Sequence, residues 1–137
     1  MDGHIELLHA DISSRILTSC FEVYRIRGYG FLENIYKNSV AVELALRGST
    51  VRREVPVEVN YKGQPVGTYR IDILVDSCVL LEVKTQNGIG DADVHQLMNY
   101  LRASGVHVGL LFNFGPKPAF ARRVYSASTQ TFFNPRD

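Results

Sequence analysis

The sequence contains no apolar run of about 20 residues, the length that a membrane-spanning helix needs. It has only two cysteines, Cys20 and Cys78, which lie far apart and lack the spacing of metal ligands. This excludes an all-cysteine zinc ribbon or iron–sulfur cluster within the chain and indicates reduced thiols. Residues 1–6 also lack the basic and then apolar layout of a signal peptide. We therefore expect a cytoplasmic protein without a membrane partner.

The net charge is also low, at +1, because 15 Lys and Arg residues nearly balance 14 Asp and Glu residues. A nucleic-acid partner thus cannot be inferred from overall basicity, and any surface that binds one must be a local patch. Nine basic residues are candidates for phosphate contacts, or else are scattered solubilising charge. They are Arg15, Arg25, Arg27, Arg52, Arg53, Arg70, Lys117, Arg122 and Arg123.

What is present is an ordinary globular composition, with 137 residues of which 45% are hydrophobic and 21% charged. This length suits one compact domain over residues 1–137. We place its core at about residues 12–125 and regard the tail, 126–137, as weakly specified, although Phe132 and Phe133 could dock.

Hydrophobic periodicity predicts two helices at the start of the chain. The first covers about residues 6–27 and ends at Gly28; the second covers about 31–47 and ends at Gly48. The expected buried side of the second helix consists of Leu32, Ile35, Val42 and Leu46, with Glu33 and Tyr36 near its edge.

The middle and end of the chain predict strands around a third helix. Strands at 51–61, 66–75 and 79–84 form an antiparallel meander, and a helix then runs from Asp91 or Asp93 to about residue 104. The apolar stretch 106–114 predicts a strand parallel to 79–84, because the crossover is right-handed. Residues 119–125 form a short helix or strand.

Three charged residues, Asp72, Glu82 and Lys84, interrupt the two most apolar strands. A charge buried there costs several kcal/mol and needs a reason. If the odd-numbered residues from Ile71 to Val83 pack on the core, the turn holds an odd number of residues, plausibly 76–78. Asp72 then lies opposite Glu82, and two such close carboxylates repel unless a cation lies between them.

The same residues resemble the D…(D/E)-x-K signature of the PD-(D/E)XK nuclease superfamily: Asp72, then Glu82-Val83-Lys84. The segment 30–36 reads G-x-x-E-x-x-Y, as in the small GxxExxY family. The segment 96–100 reads Q-x-x-x-Y, a helix motif of RecB-like and CRISPR-associated exonucleases. The resemblance covers about residues 12–125, but the usual proline before the first aspartate is replaced by Ile71.

This resemblance implies an α/β fold with a restriction-endonuclease-like core, a mixed four- or five-stranded sheet flanked by helices. It implies a nuclease that hydrolyses phosphodiester bonds with Mg²⁺ or Mn²⁺, with DNA as the favoured substrate and RNA as the alternative. Asp72, Glu82 and the Val83 carbonyl would bind the ion, and Glu33 would be an additional ligand. Lys84 would activate the attacking water. Gln96 and Tyr100 would position waters or the scissile phosphate.

Alternatives remain open on the sequence alone. Asp72 and Lys84 could form a cross-strand ion pair, Glu82 could face solvent, and Gln96 and Tyr100 could be the polar edge of a helix. The fold could serve as a non-catalytic nucleic-acid-binding or scaffolding module, or as a toxin or defence component that needs a partner protein. The action could be exo- or endonucleolytic, on single or double strands, and two copies could pair into a homodimer.

Overall fold

A computed structural model describes residues 8–126 and 131–133. The helices are α1 (Ala10–Arg27), α2 (Glu33–Leu46) and α3 (Asp91–Ser104). The strands are β1 (Val51–Tyr61), β2 (Gln64–Val75), β3 (Val79–Lys84), β4 (Val108–Phe114), β5 (Pro118–Ser126) and β6 (Thr131–Phe133).

The strands form one mixed sheet in the order β1-β2-β3-β4-β5-β6. Among the described strands, only the β3–β4 pair is parallel, and α3 makes the crossover between these two strands, as the sequence predicted. Five long strands carry the sheet, and the three-residue β6 extends it at the β5 edge. The predicted α/β fold with a restriction-endonuclease-like sheet and flanking helices is confirmed.

The sheet has a hydrophobic core on each face. On one face, α1 and α2 pack over residues such as Val75, Leu81 and Phe112. On the other face, Leu97 and Leu101 of α3 pack over a smaller cluster. Because both faces are covered, β4 is buried along its whole length, and its near-continuous apolar sequence is typical of such a strand.

The predicted buried side of α2 is wrong. The side chains of Leu32, Ile35, Val42 and Leu46 are exposed, at 80%, 39%, 53% and 77%. The buried residues are instead Tyr36, Val40, Ala41 and Leu44. Apolar residues occur on both sides of this helix, so periodicity alone could not choose between them. The choice follows from Tyr36, whose ring stacks on Phe114 with centroids 4.4 Å apart.

The two ends of the chain also differ from expectation. Helix α1 begins at Ala10, because His9 adopts a left-handed backbone conformation with φ 52°; residues 1–7 lie outside the described part. At the other end, the tail adds strand β6, in which Phe133 pairs with Val124 and Phe132 with Tyr125. The rest of the predicted tail, 127–130 and 134–137, lies outside the described residues.

Within the described residues, no helix is both long enough and apolar enough to cross a membrane.

Candidate active site

The β2–β3 hairpin brings the three charged strand residues together. Ile73 pairs with Leu81 and Val75 with Val79, around a three-residue turn at 76–78, so the predicted register is confirmed. One detail is wrong: Ile71 packs with the α3-side cluster, whereas Ile73 packs on the α1–α2 side. The alternation therefore breaks at Asp72, the residue between them.

Asp72 and Glu82 each accept a hydrogen bond from the backbone of the opposite strand. The Asp72 amide donates to Glu82 Oε2 at 3.1 Å. The Val83 amide donates to Asp72 Oδ2 at 2.8 Å. The regular backbone pairing of β2 with β3 covers only Ile73–Val75 on β2. Beyond Ile73, the two carboxylates accept the amide hydrogen bonds that a backbone carbonyl would otherwise accept. Both side chains are thereby held in the space between the strands.

Glu82 is buried with one unsatisfied atom. The residue is 5% exposed, which excludes the alternative that it faces solvent. Its Oε1 atom is buried without a hydrogen-bond partner in the described part of the chain. Burial first, and then the charge of Asp72, raise the pKa of Glu82 to about 9. A cation at Oε1 would satisfy this atom and favour the ionised form.

Lys37 of α2 lies at the centre of three carboxylates. Its Nζ is 3.0 Å from Asp72 Oδ1, 3.4 Å from Glu33 Oε2 and 3.7 Å from Glu54 Oε1. Burial lowers the pKa of Lys37, but Asp72 and the two glutamates outweigh it and raise that pKa overall. Glu33 thus approaches Asp72 through Lys37 and not directly. The alternative of an Asp72–Lys84 ion pair is wrong, since Lys37 takes that place.

Lys84 and Gln96 meet across the gap between β3 and α3. Lys84 Nζ lies 3.5 Å from Gln96 Oε1, a long contact near the limit of a hydrogen bond. The charge of Lys84 lowers the pKa of Glu82, which opposes the effect of burial. Lys84 therefore stands near the carboxylate pair without being paired to it.

Tyr100 lies beside the same carboxylates. Burial and the charges of Glu82 and Asp72 raise its pKa, and a hydrogen bond with Gln96 lowers it. Its ring stacks on Tyr69 with centroids 3.9 Å apart, and the Tyr69 hydroxyl donates to the Tyr100 carbonyl at 2.6 Å. Tyr69, on β2, thus fixes the Tyr100 end of the Q-x-x-x-Y segment against the sheet.

The loop that follows Lys84 is held from β4. Asn113 is fully buried; its Oδ1 accepts from the Gln86 amide at 2.8 Å and its Nδ2 donates to the Gln86 carbonyl at 3.0 Å. The Gln86 side chain in turn donates a hydrogen bond to the Asp93 carboxylate. This carboxylate also accepts a hydrogen bond from the Gly90 amide and so caps the N-terminus of α3. This chain of contacts joins the position of Lys84 to that of α3.

The donor set fits a Mg²⁺ or Mn²⁺ ion, although no three His, Cys, Asp or Glu side chains in the described residues form a ready-made cage. Mg²⁺ keeps several waters and is usually held by one or two carboxylates together with substrate phosphates. Asp72 and Glu82 supply two hard oxygen donors, and Glu82 Oε1 is buried and accepts no hydrogen bond from any residue that the structure describes. The pair therefore suits an ion of this kind better than zinc, which prefers closed nitrogen and sulfur sites.

Sequence reasoning missed three residues of this site: Lys37, Glu54 and Tyr69. Lys37 could have been found from its position four residues after Glu33, which places both on one helix face. Glu54 has φ 51° in the middle of β1, and nothing in the sequence signals this irregularity. Tyr69 lies on the α3 face of the sheet together with Ile71. Regular alternation would have placed both residues on the opposite face, so Tyr69 could not be assigned to the site without the break at Asp72.

Comparisons with known proteins agree with this fold. The family model of the PD-(D/E)XK nuclease superfamily matches residues 10–124, most of the chain. The crystal structure of SSO0001 is similar in fold, with a TM-score of 0.52 and 21% sequence identity over 66% of this chain. The match covers 48% of SSO0001, so this chain spans about half of that protein. No curated protein matches. The chain belongs to the PD-(D/E)XK nuclease superfamily.

Proposed function

We propose that this protein is a metal-dependent nuclease that hydrolyses phosphodiester bonds of DNA. The observation that carries the proposal is the carboxylate pair of Asp72 and Glu82, fixed between two strands with Glu82 Oε1 buried and unsatisfied. A scaffold that needed only stability would gain from an apolar residue at this position, because an unpaired buried carboxylate is destabilising.

In this proposal, Asp72 and Glu82 hold one Mg²⁺ or Mn²⁺ ion, helped by the Val83 carbonyl, and Glu33, which contacts Lys37 beside Asp72, would join through a water. When bound, the ion lowers the pKa of its water and neutralises charge on the phosphate oxygens. The protein's own contribution is to hold both carboxylates before the ion arrives, because their hydrogen bonds to the backbone of β2 and β3 leave them little freedom.

Lys84 is the proposed partner of the attacking water. Its ammonium group is not neutralised by a carboxylate in the described residues, so it is available to orient that water or to stabilise negative charge on the phosphate. Gln96 limits its position from α3, and Tyr100 supplies a hydroxyl on the same side of the site. These two residues would position the phosphate or the waters around the ion.

The proposal also covers the subfamily, the substrate and the cellular compartment of the protein. The G-x-x-E-x-x-Y segment supports membership of the GxxExxY family, since Glu33 reaches the site and the Tyr36 hydroxyl, which donates to the Gly28 carbonyl, holds the loop before α2. DNA is favoured over RNA from the resemblance alone. The two free cysteines, Cys20 and Cys78, support a reducing compartment such as the cytoplasm.

The test is cleavage of single- and double-stranded DNA by the purified protein with Mg²⁺ or Mn²⁺. Asp72→Ala and Lys84→Ala should each lower the rate by at least about a hundredfold, the usual scale for losing a metal ligand or a proton-transfer group. Asp76→Ala is the matched control, because this aspartate on the same hairpin binds Arg15 and the Thr50 amide away from the site. If Asp72→Ala and Lys84→Ala cleave as fast as the parent, the assignment of these residues is wrong.

The second candidate is a non-catalytic component that acts with another protein. It is favoured by the exposed apolar side chains of α2, among them Val42 and Leu46, on which a partner protein or a second copy could pack. A DNA gel shift that persists in EDTA, without cleavage under any divalent ion, would support this candidate. Co-purification of one defined protein would identify the partner-dependent form of it.

A further inference from the structure

Lys37 occupies a position that a cation would otherwise take. Its Nζ lies 3.0 Å from Asp72 Oδ1 and 3.4 Å from Glu33 Oε2, two of the carboxylates assigned to the ion. The Lys37 side chain is only 16% exposed, whereas those of Glu33 and Glu54 are 41% and 49% exposed. The ammonium group is thus enclosed, and its partners reach it from α2, β1 and β2.

The oxygen atoms of the carboxylate pair are divided among different partners. Asp72 Oδ2 and Glu82 Oε2 accept backbone amides, and Asp72 Oδ1 binds Lys37. Of these four atoms, Glu82 Oε1 alone has no hydrogen-bond partner among residues 8–126 and 131–133. A divalent ion held by Asp72 and Glu82 therefore shares Asp72 with the ammonium group of Lys37, at a distance where like charges repel strongly.

We propose that Lys37 is a resident cation of the active site, which takes the place of a second divalent ion between Glu33 and Asp72. The chain then binds one divalent ion, and it binds that ion against the charge of Lys37. This inference rests on the proposed function for its metal site, but it concerns the affinity for the ion and not cleavage. Lys37 acts here through its charge: it neutralises Glu33 and Glu54 and competes with the ion for Asp72.

A purely structural role for Lys37 predicts the opposite effect on metal binding. If its ion pairs only fasten α2 to the hairpin, a neutral residue would loosen Asp72 and weaken the binding of the ion. If Lys37 instead competes as a cation, a neutral residue removes the repulsion and tightens binding. The sign of the change in affinity therefore separates the two roles.

The experiment is calorimetric titration of the full-length, metal-free protein with Mn²⁺. For Lys37→Gln and for Lys37→Met, which keeps the aliphatic stem, we expect a Kd at least about tenfold lower than for the parent. Lys37→Arg, which keeps the charge, should remain within about threefold of the parent, and the parent should bind one ion per chain. Arg53→Gln is the matched control, since Arg53 binds Asn38, next to Lys37, without contacting a carboxylate.

Unchanged or weaker Mn²⁺ binding in both neutral variants would overturn the inference, as would two ions per chain in the parent. If none of these proteins binds Mn²⁺, the inference and the proposed metal site fail together. If the affinities follow the expected order but no variant cleaves DNA, the inference stands and only the proposed function fails.

Discussion

Asp72 and Glu82 are bound to each other's strands: the Asp72 amide donates to Glu82, and the amide of Val83, next to Glu82, donates to Asp72. Two carboxylates are in this way held at close range inside the protein, where their repulsion is large. The arrangement opposes folding unless a proton or a cation compensates it.

The first prediction concerns pH and Glu82. Its pKa is 4.5 when unperturbed and is raised to about 9 in the folded protein, chiefly by burial. The folded state therefore binds the Glu82 proton more tightly than the unfolded state does. The contribution of this proton to the free energy of unfolding is complete below pH 4.5 and is lost as the pH rises towards about 9. In a chelator, the free energy of unfolding in urea should fall by on the order of 4 kcal/mol between about pH 5 and pH 8, because each pH unit in this window is worth about 1.4 kcal/mol for one proton.

Glu82→Gln is the control for this pH dependence, because an amide of the same shape does not titrate. The decline with pH should be much smaller in this variant, whereas Glu58→Gln, an exposed residue of β1, should behave as the parent does. An equal decline in Glu82→Gln and in the parent would show that other groups are responsible.

The second prediction concerns Gln96. Its side chain is exposed and contacts Lys84 Nζ at 3.5 Å, so it acts on the reaction more than on the fold. Gln96→Ala should slow cleavage about tenfold, the effect of a modest loss of positioning, and change the free energy of unfolding by less than about 0.5 kcal/mol. Asn99→Ala, at an exposed position on the same helix, should change neither quantity. An unaltered cleavage rate in Gln96→Ala would remove this residue from the site.

The third prediction concerns Asn113, which binds both backbone groups of Gln86. Asn113→Ala removes two part-buried hydrogen bonds to the Gln86 backbone, so the free energy of unfolding should fall by about 1–3 kcal/mol. Cleavage measured on the folded fraction should fall as well, since the freed loop follows Lys84 directly. Asn60→Ala, an exposed position on β1, should leave stability within about 0.5 kcal/mol of the parent. A loss of stability without any loss of cleavage would show that the loop does not position Lys84.

Much of the fold could be predicted because strand and helix signals were local. The bounds of β1 and β3, and α3 with its glycine terminator at Gly105, follow directly from alternation, periodicity and capping. The buried face of α2 could not be predicted, because its sequence offers an apolar stripe on either side. Only the packing of Tyr36 on Phe114, residues far apart in the chain, decides between the two stripes.

The candidate site shows the same division. The register that places Asp72 opposite Glu82 follows from the apolar residues around them, and the structure confirms that register. Lys37 and Glu33 look in the sequence like an ordinary pair of charges on a solvated helix face. Their approach to Asp72 depends on how α2 lies across the sheet, and the order of residues in α2 does not encode that angle.

The most direct test of the account is a crystal of the metal-free protein soaked in Mn²⁺, with anomalous diffraction recorded at the manganese edge. We expect one strong peak within about 2.0–2.4 Å of a carboxylate oxygen of Asp72 and of Glu82, as is usual for oxygen ligands of such ions. No peak there, with Asp72 still bound to Lys37 and Glu82 Oε1 still without a partner, would contradict the proposed metal site and the nuclease mechanism built on it.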